Sequence, residues 1–130
     1  MLFRSLDGAP ERLKPLFSPE CWHFDWERMR RPGNVEIQFR LFEDYKNYVA
    51  RFPEIARYHR QHQPPCLILW GRHDPYYQLD EIVAYARELE RLEMHVFDGA
   101  HLLLETHYRE CAHAIQRFIE NNPREVASVG

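Results

Sequence analysis

Two residues that could act together as an acid–base pair, Asp74 and His101, each follow a short apolar stretch. Residues 66–70 are apolar without a break and are followed by Gly71. Residues 94–97 are followed by the sequence Asp-Gly-Ala-His at positions 98–101. A carboxylate beside an imidazole orients the ring and stabilises its protonated form, as general-base catalysis requires. Asp74 and His101 are 27 positions apart, so they can act together only if the fold places them side by side.

Two parallel strands would do so. A continuous apolar run bounded by turn residues is typical of a strand buried on both faces, so residues 66–70 are predicted to form one. Residues 93–97 are predicted to form a parallel neighbour, joined to the first strand by a helix. Chemistry collects at the carboxyl ends of such strands. We expect Nδ1 of His101 at about 2.6–3.2 Å from a carboxylate oxygen of Asp74.

Simpler interpretations of these residues stay open. Asp74 precedes Pro75, and Asp-Pro is a common turn starter. His101 could bond only to the backbone of its loop. A metal site is a third reading, but the spacing of the candidate ligands matches no known ligand motif. Those candidates are His73, Asp74, Asp98, His101, Glu105 and His107. We predict neither a metal nor a cofactor.

The rest of the chain reads as helices, which makes the predicted fold class α/β. Apolar residues at helical spacing and proline breakers divide the chain into two parts and a tail. Residues 1–63 are predicted to be a helical segment, 64–122 a strand–helix–strand–helix segment, and 123–130 a disordered tail. The predicted helices span about 10–17, 19–30, 35–51, 53–60, 79–91 and 107–121, with Asn34 as an N-cap and 61–65 as an extended linker.

Composition narrows the function classes. The net charge of −3 and the absence of a basic block argue against nucleic acid as a partner. No run approaches the roughly 18 apolar residues of a membrane helix, and the N-terminal residues do not resemble a signal peptide. The three cysteines fit neither a disulfide framework nor a zinc site. We expect Cys66 and Cys111 to be buried thiols in a cytoplasmic protein.

Several short motifs in a fixed order resemble a known family. They resemble the carboxyl-terminal part of α/β-hydrolases, in particular bacterial members close to haloalkane dehalogenases and epoxide hydrolases, over roughly residues 10–120. In chain order the motifs are Arg31-Pro32-Gly33-Asn34-Val35-Glu36-Ile37-Gln38, Asp44-Tyr45, His62-Gln63-Pro64-Pro65, Trp70-Gly71 with Asp74-Pro75, and His101 with Leu104-Glu105-Thr106-His107.

The resemblance implies a helical cap segment followed by the end of the hydrolase core, with two parallel strands. It implies that Asp74 is the catalytic acid and His101 the catalytic base. It also implies that Phe42, Tyr45 and Tyr48 line a substrate pocket, although the same spacing suits plain helix packing. Ala100 stands where the family has glycine, and residues 47–48 depart from its usual Thr-Asn.

The sequence lacks the family's nucleophile motif. It contains neither Gly-x-Ser-x-Gly nor an Asp-Tyr-Gly-like elbow. The expectation is a truncated hydrolase that is inactive alone. Its intact relative would hydrolyse epoxide, haloalkane or ester bonds of a small molecule through a covalent intermediate. The alternative is a non-catalytic binding or assembly module. The expected partner is a missing N-terminal hydrolase half or a second copy.

Overall fold

A computed structural model describes residues 8–123. The predicted disordered tail lies outside the described residues from 124 onward. Seven elements follow a short 3-10 helix at Lys14–Leu16. They are α1 (Pro19–Met29), α2 (Asn34–Ala50), α3 (Phe52–His62), β1 (Cys66–Gly71), α4 (Leu79–Glu88), β2 (Leu92–Phe97) and α5 (Leu103–Asn121).

The strands β1 and β2 are parallel neighbours, as the sequence predicts. Their register runs from Cys66 opposite Leu92 to Gly71 opposite Phe97, and they form a two-stranded sheet within the described part of the chain. The helix α4 connects them and α5 follows β2. The α/β fold class and the strand–helix–strand–helix order are therefore confirmed.

The prediction that the first strand is buried on both faces is wrong. Every residue of β1 before Gly71 is only half-buried, because the sheet has no third strand among residues 8–123 to cover β1. Cys66 is accordingly half-buried, whereas Cys111 on α5 is fully buried. Burial raises the pKa of both thiols, and the nearby Glu110 adds to the effect at Cys111.

Several helix ends differ from their predicted positions. Helix α2 begins at Asn34 with Gly33 as the N-cap residue at φ 84°, so Asn34 is not the cap. The Nδ2 group of Asn34 instead donates to the carbonyl oxygen of Arg28 at 2.6 Å. Residues 10–17 contain turns and a short 3-10 helix rather than a longer helix. Pro15 lacks the N–H group that the interior of a longer helix needs.

The later helices differ for reasons of packing. Helix α4 stops at Glu88, because Leu89 is extended and buried at the helix end. Helix α5 begins at Leu103, four residues before its predicted start, and has a non-helical residue at His107. The apolar residues of α5 follow a regular helical spacing only after His107, where the backbone is irregular.

One glutamine joins the helical segment to the strands. Gln63 ends α3 in the left-handed conformation, with φ 44°. Its side chain donates to the carbonyl oxygen of Glu88 at 3.0 Å and accepts from the backbone N–H of Glu90 at 2.9 Å. The linker therefore begins at Gln63 rather than at Gln61.

Burial is concentrated near the strand ends. A small cluster of Ala9, Leu13, Phe17 and Ala100 packs the N-terminal segment against the loop after β2. Helices α2 and α3 contain no buried residue. Within residues 8–123, no helix combines the length and the apolar character that crossing a membrane requires.

Candidate active site

The loops that follow β1 and β2 are joined by backbone hydrogen bonds. The N–H of Arg72 donates to the carbonyl oxygen of Phe97 at 2.9 Å, and the N–H of His73 donates to that of Gly99 at 3.0 Å. These bonds continue the strand pairing beyond the ends of the sheet. The two loops therefore leave the sheet side by side, as parallel strands require.

Two glycines allow this close approach. A Cβ atom on Gly71 would overlap the carbonyl group of Ala100, immediately before His101. A Cβ atom on Gly99 would lie 2.7 Å from Cδ1 of Leu103. The backbone of β1 thus lies directly against the loop that carries His101, at a distance that only glycine permits.

Asp74 is held by its own loop. Its Oδ1 atom accepts hydrogen bonds from the backbone N–H groups of Tyr76 at 2.8 Å and Tyr77 at 3.2 Å. Its side chain is only 8% exposed. A carboxylate that accepts such bonds across a turn has a fixed orientation. Its second oxygen is left to face the other loop.

His101 meets that second oxygen. Its Nδ1 atom lies 2.9 Å from Oδ2 of Asp74, within the predicted range. An ionised carboxylate can only accept, so Nδ1 carries the proton and Nε2 of the neutral ring presents a lone pair. Nε2 has no hydrogen-bond partner within residues 8–123, and the side chain is 34% exposed. The ring is therefore oriented as a base with an accessible nitrogen.

Two tyrosines that the sequence analysis did not assign to the site also contact His101. Tyr76 packs edge-on against the imidazole, with ring centroids 4.8 Å apart, and Tyr77 stacks on it at 6.0 Å. Both lie within three residues of Asp74 in the sequence, and this proximity could have identified them as residues of the site. Burial, chiefly, and the neighbouring Tyr45, Glu81 and Asp74 raise the pKa of the Tyr77 phenol.

The three predicted pocket residues of α2 have different neighbours within residues 8–123. Tyr45 is close enough to Tyr77 to raise the pKa of the Tyr77 phenol, which places it beside the acid–histidine pair. Tyr48 instead lines a cavity of about 310 Å³ between α2, α3 and α4, which neither Asp74 nor His101 lines. Phe42 is 55% exposed. The Tyr45 and Tyr48 rings nevertheless lie 5.8 Å apart, because residues three positions apart share one face of a helix.

The histidines and carboxylates near the strand ends form separate pairs. His73 contacts Asp98 at 2.7 Å, and Asp98 also forms ion pairs with Arg12 and Arg72. Asp74 pairs with His101 instead. Among residues 8–123 no three such side chains form a group that could hold a metal ion. The contacts of Asp98 with Arg12, Arg72 and His73 join the N-terminal segment to the loops after β1 and β2.

One curated protein is similar to this chain. It is named uncharacterized hydrolase YNR064C and comes from Saccharomyces cerevisiae; the two are 32% identical over 104 residues. The match covers 79% of this chain and 36% of the yeast protein, so the chain spans about a third of that relative's length. No family model matches the chain. No solved structure matches it.

Proposed function

We propose that the chain supplies the acid and the histidine of a hydrolase active site. The observation that carries this proposal is the 2.9 Å contact between Nδ1 of His101 and Oδ2 of Asp74, with Nε2 left without a partner among residues 8–123. The hydrolase name of the yeast relative supports the reaction class. The α/β-hydrolase resemblance, to members close to haloalkane dehalogenases and epoxide hydrolases, supports the two roles.

The division of labour follows from the geometry. His101 accepts a proton at Nε2 from a water molecule, which then attacks a covalent intermediate. Asp74 accepts the Nδ1 hydrogen bond throughout and stabilises the imidazolium when it forms. The two backbone donors on Oδ1 keep the carboxylate from rotating away. Tyr76 and Tyr77 limit the tilt of the ring.

We propose that the nucleophile lies outside this sequence. The chain contains no elbow motif, and it corresponds to 36% of the yeast protein. We propose that it is a partial hydrolase whose complete form cleaves an ester, epoxide or haloalkane bond through a covalent intermediate. We propose that Tyr45 contacts the substrate, because it lies beside Tyr77. Phe42 and Tyr48 are proposed to line the same substrate pocket, since the Tyr48 ring lies 5.8 Å from that of Tyr45.

A covalent chimaera tests the reaction class. This chain would replace the matched stretch of the yeast protein, and the product would be assayed with panels of esters, epoxides and haloalkanes. We expect hydrolysis that His101→Ala reduces by about 10⁶-fold, as removal of a triad histidine does in other hydrolases. An exposed histidine on α5, His113, gives the matched control His113→Ala. Hydrolysis that survives His101→Ala would contradict the proposal.

The isolated chain gives a second test. Without a nucleophile and oxyanion donors we expect no saturable turnover above a His101→Ala control on the same substrates. Activity that is saturable and disappears in that control would overturn the proposal that the chain is only a partial site.

A further inference from the structure

A second acid–histidine contact joins the two loops beside the candidate site. The Nε2 atom of His73 lies 2.7 Å from Oδ1 of Asp98. His73 immediately precedes Asp74 on the loop after β1, and Asp98 lies three residues before His101 on the loop after β2. Each loop therefore carries one acid and one histidine, and each acid contacts the histidine of the other loop.

Asp98 accepts hydrogen bonds or ion pairs from three donors. Because a carboxylate can only accept, Nε2 of His73 carries the proton of their contact. The Nε atom of Arg72 lies 3.1 Å from the same Oδ1 atom and donates to it. Arg72 is also 3.1 Å from Nε2 of His73, which is protonated and cannot accept from it. The other oxygen of Asp98 pairs with Arg12, so the carboxylate has a fixed orientation between the loops.

The side-chain contacts of Asp98 reinforce backbone hydrogen bonds between the same loops. The N–H of Arg72 donates to the carbonyl oxygen of Phe97 at 2.9 Å, and the N–H of His73 donates to that of Gly99 at 3.0 Å. Asp98 lies between the two accepting residues in the sequence, and its side chain contacts the same two donors. Asp98 therefore acts where the separation of the two loops is set.

A surface ion-pair cluster without a role in the site is the simpler interpretation. The side chains of Asp98 and Arg72 are 42% and 57% exposed, and exposed pairs contribute little to stability. The site has a stricter requirement, because Nδ1 of His101 must stay within hydrogen-bond reach of Asp74. A misplacement of about 1 Å can lower a rate by about 10²-fold. A contact that adds little to stability is therefore still able to control the geometry of the site.

We propose that Asp98 is a positioning residue of the candidate site. Its contacts with His73 and Arg72 set the distance between the two loops. That distance in turn keeps the imidazole of His101 against Asp74. The inference rests on the proposed function for the use of this geometry in catalysis, whereas the geometry itself rests on the contacts of Asp98.

NMR of this full chain tests the positioning directly. Ring nitrogen chemical shifts give the ratio of Nδ1-protonated to Nε2-protonated His101. Asp98→Ala and His73→Leu each remove one side of the contact between the loops. We expect the ratio to fall by about tenfold in both, because a charge-assisted hydrogen bond that favours the Nδ1-protonated form is lost or lengthened. His73→Gln keeps a side-chain N–H donor and should preserve the ratio.

The strand β2 supplies a matched control. The Nε2 atom of His95 lies 2.6 Å from Oε1 of Glu93, within one strand. The side chains of this pair are 32% and 36% exposed, close to the 31% and 42% of His73 and Asp98. Glu93→Ala should therefore leave the ratio for His101 unchanged. Its midpoint of urea unfolding should be close to that of Asp98→Ala, since both pairs are exposed.

The chimaera with the yeast protein gives a kinetic readout. Asp98→Ala should lower kcat by about 10–10²-fold, because the base is misplaced relative to the reacting atoms. KM should change by less than about twofold, since Asp98 is not expected to contact the substrate. His73→Gln should retain more of the parent kcat than His73→Leu does.

Three NMR results would overturn the inference. The first is a parent-like ratio for His101 in both Asp98→Ala and His73→Leu. The second is an equal fall in Glu93→Ala, and the third is an equal fall in His73→Gln and His73→Leu. The two variants of His73 decide the question if Asp98→Ala does not fold. A chimaera that hydrolyses nothing contradicts the proposed function and leaves the NMR comparison to judge this inference.

Discussion

The loops at the strand ends and the helical segment of residues 34–62 use similar side chains but differ in what those side chains touch. Asp74 is almost buried, and both of its oxygens accept hydrogen bonds, one of them from another loop. Asp44 on α2 is exposed and accepts a hydrogen bond from Asn47, one turn along the same helix. Only the first carboxylate is positioned by the tertiary structure.

The difference teaches how each region obtains its geometry. Backbone hydrogen bonds and the contact of Gly71 with Ala100 position the strand-end loops without any need for a large core. Helices α2 and α3 are amphipathic, but their apolar face meets little of the chain. Most helical stability in proteins comes from packing such a face. The candidate site is therefore better defined than the segment expected to cover it.

The largest effect is expected at Gly71. Gly71→Ala places a methyl group on the carbonyl of Ala100, so the two loops must separate. Overpacking of this kind costs about 1–3 kcal/mol, and backbone is a rigid obstacle, so we expect the upper end. Gly33→Ala is the control, because a Cβ there meets open space and only the positive φ opposes it. Urea unfolding measures both; equal costs would contradict the role of the loop contact.

A smaller effect is expected from Asp74→Asn. Loss of the charge at a nearly buried position should cost about 1.5 kcal/mol of unfolding free energy, the lower end for charged hydrogen bonds, because asparagine keeps one oxygen acceptor. In the chimaera it should also lower the rate, because the wrong tautomer of His101 becomes accessible. Asp44→Asn makes the same change on α2 and should cost less than about 0.5 kcal/mol. If NMR finds the Nδ1 proton of His101 unchanged in Asp74→Asn, the contact does not orient the ring.

Tyr77→Leu should have a modest effect. Aromatic pairs contribute about 0.5–1.5 kcal/mol beyond their buried area. Tyr77 stacks on the site histidine and meets the Trp70 ring edge-on, with centroids 6.1 Å apart. Tyr58→Leu removes a ring that contacts His62 one turn along α3 at 4.6 Å. The Tyr58–His62 pair is exposed, so losing it should cost less unfolding free energy. The prediction fails if Tyr58→Leu destabilises the chain more than Tyr77→Leu.

The smallest effect is expected on α2. Phe42→Gln replaces a side chain that is more than half exposed, so the unfolding free energy of the chain should change by less than about 0.5 kcal/mol. Light scattering should accompany the unfolding measurement. A cost above about 2 kcal/mol together with a dimer mass would mean that a second copy covers α2 in solution.

Particular residues show which features of the structure could be predicted from the sequence. The apolar run before Gly71 and the helical pattern after it were enough to predict β1, α4, β2 and their parallel order. The Asp74–His101 contact followed from that topology. The start of α5 could not be predicted, because the residues before the kink at His107 lack a regular helical pattern. The half-burial of β1 could not be predicted either, since an apolar run does not reveal how many strands will cover it.

The sequence by itself determined which elements form and in which order, because periodicity and breakers act over a few residues. It also placed Asp74 and His101 at the ends of neighbouring strands. Only the tertiary structure decided that Tyr76 and Tyr77 would contact the imidazole, and that Tyr45 and Tyr48 would face different neighbours. It also decided that one sheet edge would be left unpaired. These outcomes depend on contacts between residues far apart in the chain, whose geometry is set by the way whole elements pack.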